Sequence, residues 1–288
     1  MAEVKALADI AARQTTVADA DLFFVESGGV PAGITHENMK LQIPGRFLGI
    51  ETVNTVGLTT VTPPTGAKFA IVEAVGTGGN GGAADSDTSG TSGDAGAASG
   101  GTSAAGCRFQ IDVSASGWTA DCTIGARGTL GTATNGSETP GTNAADSTFA
   151  SSDGVTITIP GGKAGTNNYD QLGAGGGGVD LLVGPVDASV DAGSVDWFET
   201  LSAEIGQPGL VFPQNSASAG AGAVGGNGGS IIGASAVGRL VNAARTSAAG
   251  VDGPSPGAGG SGAATVGLET AKQGGYGALG QFKFWWYS

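Results

Sequence analysis

The chain has 288 residues, 56 of them glycine, with 40% hydrophobic residues, only 13% charged residues and a formal net charge of −13. Glycine stands far above its ordinary level of about 7%, yet the apolar content and aromatic strands suffice for a modest core, which argues against a wholly disordered chain. The acidic balance, with no cluster of Lys and Arg to form a local basic patch, argues against nucleic acid as a partner. No stretch is long and apolar enough to span a bilayer. The segment Met1 to Asp9 lacks the apolar core of a signal peptide, so synthesis in a cytoplasm is expected, without membrane insertion.

Residues 1–45 differ from the rest, with only Gly28, Gly29, Gly33 and Gly45 and a balanced set of charges. Leu22 to Glu26 reads as a strand, Ser27-Gly28-Gly29 as a turn and Val30 to Thr35 as the return strand. His36 to Leu41 fits a short helical turn stopped by Pro44-Gly45. About forty residues are too few for an independent core, so this module is expected to lean on a partner. Leu22, Phe23, Phe24, Val25 and Val30 are its candidate attachment residues.

From Arg46 onward the pattern is β. Phe47 to Val53 and Thr59 to Thr62 are expected strands, followed by a turn at Pro63-Pro64-Thr65-Gly66 and a strand from Lys68 to Val75. That strand runs straight into Gly76-Thr77-Gly78-Gly79-Asn80-Gly81-Gly82. A hairpin of Arg108–Val113 and Trp118–Asp121 is expected next, with Cys107 and Cys122 facing each other across it. A reducing compartment favours two free, half-buried thiols there over a bridge. Gly154 to Pro160, Val179 to Val183, Trp197 to Ile205, Ser230 to Ile232 and Phe282 to Tyr287 complete the strands. Residues 46–288 are thus expected to form an antiparallel β-sandwich or jelly-roll-like domain with long glycine-rich loops.

Five runs carry glycine at every third position: Gly76/Gly79/Gly82, Gly90/Gly93/Gly96, Gly125/Gly128/Gly131, Gly222/Gly225/Gly228 and Gly274/Gly277/Gly280. That spacing suits short polyglycine-type segments packed side by side, since absent side chains let backbones approach closely. Irregular, displayed loops are the other reading. As displayed loops, the candidate receptor-facing residues are Gly78, Gly79, Asn80 and Gly81, with Gly225, Gly226, Asn227 and Gly228.

Chemistry has little to stand on. His36 is the sole histidine, which removes histidine-centred nucleophile relays and multi-histidine metal sites. Asp191, Asp196, Glu199 and Glu204 could supply paired carboxylates for glycoside hydrolysis, but a solvated acidic strand beside Trp197-Phe198 explains them more simply. Asp85-Ser86-Asp87-Thr88-Ser89-Gly90 matches half of a calcium loop, with Gly96 where the closing acidic ligand belongs. Gly76 to Gly79 is followed by no Lys-Ser/Thr pair, so it is no phosphate cradle. No catalytic residue, metal or cofactor is expected. At the C-terminus, Phe282, Phe284 and Trp286 alternate with Lys283, Trp285 and Tyr287. One face is expected in the core beside the strand Phe69 to Val75. The other is expected beneath a neighbouring subunit rather than wet, because an exposed Trp285/Tyr287 pair invites aggregation.

The run Val72-Glu73-Ala74-Val75-Gly76-Thr77-Gly78-Gly79-Asn80-Gly81-Gly82 resembles the glycine-rich domain of bacteriophage tail-fibre and adhesin-type proteins. The resemblance continues through Phe109 to Val113, Cys122 to Gly128 and Asp146 to Phe149, and closes with Gly274-Gly275-Tyr276-Gly277 before an aromatic strand. Ala8-Asp9 through Val30 is similar to the short attachment modules that begin many phage structural proteins. Alanine, serine and aspartate replace the family's denser glycine between Ala83 and Gly100. The resemblance implies a virion protein made in the host cytoplasm, a homo-oligomer and specifically a trimer, gripping other virion proteins through residues 1–45. It implies a receptor that is a bacterial surface glycan or an outer-membrane protein. A capsid-attached head fibre or decoration protein is the alternative location, and an ice- or mineral-binding glycine-rich protein the alternative of another class.

Overall fold

The computed structural model describes residues 22–27, 30–35, 45–85, 95–134, 137–169, 187–212, 222–224, 228–241, 247–266 and 270–288. Among them there are strands and no helices. The first eight strands are β1 (Leu22–Ser27), β2 (Val30–Thr35), β3 (Phe47–Val53), β4 (Gly57–Val61), β5 (Phe69–Val75), β6 (Ala84–Asp85), β7 (Ala95–Ala97) and β8 (Gly106–Asp112). Then come β9 (Ala120–Ile124), β10 (Thr132–Thr134), β11 (Ser137–Thr139), β12 (Ser147–Ser151), β13 (Thr156–Ile159) and β14 (Asn168–Tyr169). The last are β15 (Ser189–Ala192), β16 (Trp197–Leu201), β17 (Leu210–Phe212), β18 (Gly222–Val224), β19 (Leu240–Val241), β20 (Ala264–Val266) and β21 (Gln281–Tyr287).

Two five-stranded antiparallel sheets, in the orders β16-β8-β5-β21-β3 and β15-β13-β12-β9-β4, form a β-sandwich. Alternation dictates which face is buried. In β21, Phe282, Phe284 and Trp286 are at most 2% exposed, while Gln281, Lys283, Trp285 and Tyr287 face outward and are half-buried. Their cross-strand partners on β5 are small, with Phe282 opposite Ala74, Phe284 opposite Val72 and Trp286 opposite Ala70. Large beside small fills the layer without voids. Phe149 of the second sheet meets Phe109 of the first edge-on, with ring centroids 5.0 Å apart, so one apolar core spans both sheets. The expected pairing of the C-terminal strand beside β5 is therefore present, and β21 sits inside the sheet, with β3 on its other side.

Two expectations need correction. The segments around Cys107 and Cys122 form no hairpin: β8 pairs with β5 and β16, whereas β9 belongs to the other sheet, between β4 and β12. The chain crosses between sheets over residues 113–119, turning at Gly117, whose φ is +76°. Both thiols are free and fully buried, facing the core rather than each other across a hairpin. The strand expected over Ser230 to Ile232 is absent, and Ile231 to Gly233 form a bend. Ser230 Oγ donates to the Ile232 carbonyl at 3.1 Å, and Gly233 adopts φ +80°, so the chain reverses there. The helical turn at 36–41 and the strand at 179–183 lie outside the described residues.

At one end of the sandwich the strands continue as glycine-rich segments. β5 runs into residues 76–83, β9 into 125–131, β13 into 160–167 and β16 into 202–209; residues 98–105, 140–146 and 273–280 lead back into β8, β12 and β21. Residues 247–253 and 257–263 add a further pair, joined by a turn at Ser255 to Gly257. None of these stretches belongs to a sheet, yet their backbones are hydrogen-bonded to one another throughout.

Candidate binding surface

Residues 98–105 give the rule of this array. Ala98, Gly101 and Ala104 donate their N–H groups to the carbonyls of Ala263, Gly260 and Gly257. Ser99, Thr102 and Ala105 donate to Thr166, Lys163 and Pro160, and Gly100 and Ser103 to Gln207 and Glu204. Three neighbours are served in rotation and the direction repeats every third residue, which is the periodicity of an extended threefold helix. Segment 76–83 is bonded in the same way to 98–105, 160–167, 257–263 and 273–280. A fifth neighbour is reached by side chains three residues apart: Thr77 Oγ1 donates to Gly125 O at 2.6 Å, and Asn80 Nδ2 to Gly128 O at 2.9 Å. The same two side chains accept from Gly280 N–H at 3.1 Å and Gly277 N–H at 3.0 Å.

The triplet spacing of glycine follows from this geometry. A Cβ on Gly76 would stand 2.8 Å from Pro160 O, and on Gly79 and Gly82 it would overlap the carbonyls of Lys163 and Thr166. On Gly274 and Gly277 it would overlap the carbonyls of Gly81 and Gly78. Each run lines one neighbour, and each member fills the space where a side chain would begin. In a sandwich, sheets about 10 Å apart are kept separate by side chains. Here those side chains vanish and backbone packs on backbone. Where alanine, serine and threonine dilute the glycine, they occupy the directions that do not face a neighbouring carbonyl: Ser99 Oγ accepts Thr166 N–H at 2.7 Å and Thr102 Oγ1 accepts Lys163 N–H at 2.8 Å.

Gly78, Gly79, Asn80 and Gly81 are consequently buried, and so is Gly228. The expectation that they form a displayed, receptor-facing loop is corrected for this stretch: they are interior scaffold. Gly225, Gly226 and Asn227 lie outside the described residues. Leu22 to Val25 lie on β1 and Val30 on β2, paired as an antiparallel hairpin with Val30 opposite Ser27; their side chains are outside the described residues, as are His36 and most of the calcium-like loop. Asp85 is buried in β6.

What the array presents is its far end. Short pairs close it there: β6 with β14, β7 with β20, β10 with β11, and β17 with β18 and β19. These small sheets contact one another. In sequence, residues 86–94 join β6 to β7 and residues 213–221 join β17 to β18, and the two segments carry Ser, Thr, Asp, Gln and Asn. Arg127 stands over the Tyr276 ring at 5.5 Å on the flank of the array.

A groove of about 480 Å3 lies where the second sheet meets the array, walled by Asp146, Thr158, Lys163, Asp187, Ser189 and Asp191. Thr158 Oγ1 donates to Asp191 Oδ2 at 2.6 Å and Ser189 Oγ to Oδ1 at 2.8 Å, which holds this carboxyl below the usual carboxylate range. Asp146 Oδ1 accepts Gly161 N–H at 3.0 Å. The acidic quartet near Trp197 does not converge. Asp191 lies in one sheet and Glu199 in the other, Asp196 takes a hydrogen bond from Gln110, and Glu204 accepts Ser230 N–H. Among the described residues, no group of three or more His, Cys, Asp or Glu is placed to hold a metal ion.

The fold and this surface define the class as an antiparallel β-sandwich continued by a packed array of glycine segments. No protein-family model matches the chain, and no curated protein matches it.

Proposed function

We propose that the chain is a bacteriophage virion protein of the tail-fibre or tail-tip kind that binds the host cell surface. One feature carries the reading: a glycine array whose backbones pack on one another is closed by short strand pairs, and the sequence segments that join those strands, such as 86–94 and 213–221, are rich in hydroxyl, amide and carboxylate groups. Such groups suit polar contacts to a bacterial surface glycan or to the loops of an outer-membrane protein. Backbone packing holds the array, so the connections can vary in sequence without disturbing it. The activity is binding, and residues 1–45 supply the grip on other virion proteins.

The test replaces residues 86–94 and 213–221 together with Gly/Ser segments of equal length and measures binding of the labelled protein to host cells. The expected variant keeps its thermal transition and loses cell binding. Undiminished binding by the variant contradicts the reading. Labelling of intact particles by antibody against the sandwich then reports tail or capsid, and absence from particles contradicts a virion role.

A further inference from the structure

The groove where the second sheet meets the glycine array is built by the array's own repeat. Asn143 and Asp146 stand three residues apart on one extended segment, ~9 Å along a threefold helix. Asn143 Oδ1 accepts Ala164 N–H at 3.1 Å and Asp146 Oδ1 accepts Gly161 N–H at 3.0 Å, donors that are again three residues apart. Each side chain is thus clamped by one atom. Asn143 Nδ2 remains as a donor and Asp146 Oδ2 as an acceptor, neither with a partner among the described residues. The segment that carries them is fixed in turn, since Ala144 and Ala145 donate to the carbonyls of Gly162 and Ala126. On the sheet side, Thr158 and Ser189 hold one oxygen each of Asp191, and the carboxylate keeps lone pairs to spare. Lys163 lines the same groove, and its ammonium has no ion-pair partner among the described residues.

We infer that this groove binds an uncharged sugar chain, with Asp146 and Asp191 accepting from its hydroxyls and Asn143 Nδ2 and Lys163 Nζ donating to its oxygens. The lining removes the other ligand classes. Asp146, Asp187 and Asp191 against one lysine repel phosphate, sulfate and uronate groups. Ala144 and Pro160 are the apolar residues of the lining, which leaves no pocket for the anchoring side chain of a peptide. Among the described residues the carboxylates do not converge on a metal ion. A hydroxyl both donates and accepts, so a chain of hydroxyls matches a wall on which fixed donors and fixed acceptors are mixed. The wall is ordered before the ligand arrives, and binding does not have to order it. The groove flanks the junction of sandwich and array, apart from the connections between the closing strands, and stands independently of what those connections contact.

The test exposes the purified, labelled full chain to a printed panel of bacterial surface oligosaccharides, uncharged and acidic. The wild type is expected to be retained by uncharged members and by no acidic one. Asp146→Asn keeps the oxygen that accepts Gly161 N–H and turns the free acceptor into a donor. Lys163→Met keeps the stem and removes the ammonium. Each is expected to lower retention about tenfold, the loss of one charged hydrogen bond, with an unchanged thermal transition. A wild type that no uncharged oligosaccharide retains overturns the proposal. Retention by acidic members does the same, as does retention of both variants at the wild-type level. Host-cell binding by the groove variants leaves the receptor reading standing, so the two fail separately.

Discussion

At the scale of single residues, identical glycines carry opposite consequences. A Cβ at Gly79 would enter the Lys163 carbonyl, which is held by its own hydrogen bond from Thr102 and cannot retreat. Gly79→Ala is expected to cost about 3 kcal/mol or more, the upper range for overpacking. Gly49, in β3, has no atom within 4 Å of its Cβ position, and Gly49→Ala should be neutral or stabilising by up to about 1 kcal/mol. Chemical denaturation of the two variants checks both. The buried cysteines supply a second residue-scale expectation. Desolvation pushes Cys107 and Cys122 up to about 12, so neither thiol reacts with an alkylating reagent unless the domain opens. The unfolded chain loses these protons near pH 8.5 and the folded chain keeps them. The thiols' stabilising contribution is thus complete below that pH and falls by about 1.4 kcal/mol per thiol per pH unit as pH rises toward 12. Labelling that outpaces global unfolding at pH 8 would refute this burial.

At the scale of elements, β21 closes the first sheet by lying between β5 and β3. Phe284→Ala should destabilise by about 3–5 kcal/mol, and truncation after Gly280 should remove the cooperative transition altogether, since β3 would lose the strand it pairs with among the described residues. Calorimetry reads both; a truncated chain that still melted cooperatively near the wild-type temperature would disprove the closure. This element was legible in the sequence, because Phe282, Phe284 and Trp286 alternate with residues of longer polar or amphipathic reach and six such groups in one strand are costly to leave wet. The glycine triplets were legible as a spacing but not as a partner. Gly79 answers to Lys163, and Gly277 to Gly78, across separations that no local pattern encodes. The segments around Cys107 and Cys122 were misread for a related reason. Alternation states which residues point inward, and Phe109 and Cys122 both do, but it does not state that the chain changes sheets between them. Ser230 to Ile232 looked like a strand because apolar and β-branched residues favour one. The positive φ of Gly233 and the reversal it permits override that preference.

At the scale of the whole molecule, two packing regimes share one set of strands. In the sandwich, Phe109, Phe149 and Phe284 hold the sheets apart and together. Beyond Val75, Ile124 and Ile159 the side chains shrink to almost nothing, and the same chains converge into a lattice of backbone hydrogen bonds. The described glycine-rich segments are therefore structure, and the short strand pairs close them at the end away from the sandwich. Amide hydrogen exchange tests that claim most directly. The account predicts that Gly79, Gly82, Gly101 and Thr102 exchange as slowly as the β5 amides and are released in the same cooperative opening. Exchange of those amides within seconds, while β5 remains protected, would show the glycine segments to be loose loops and would contradict the account.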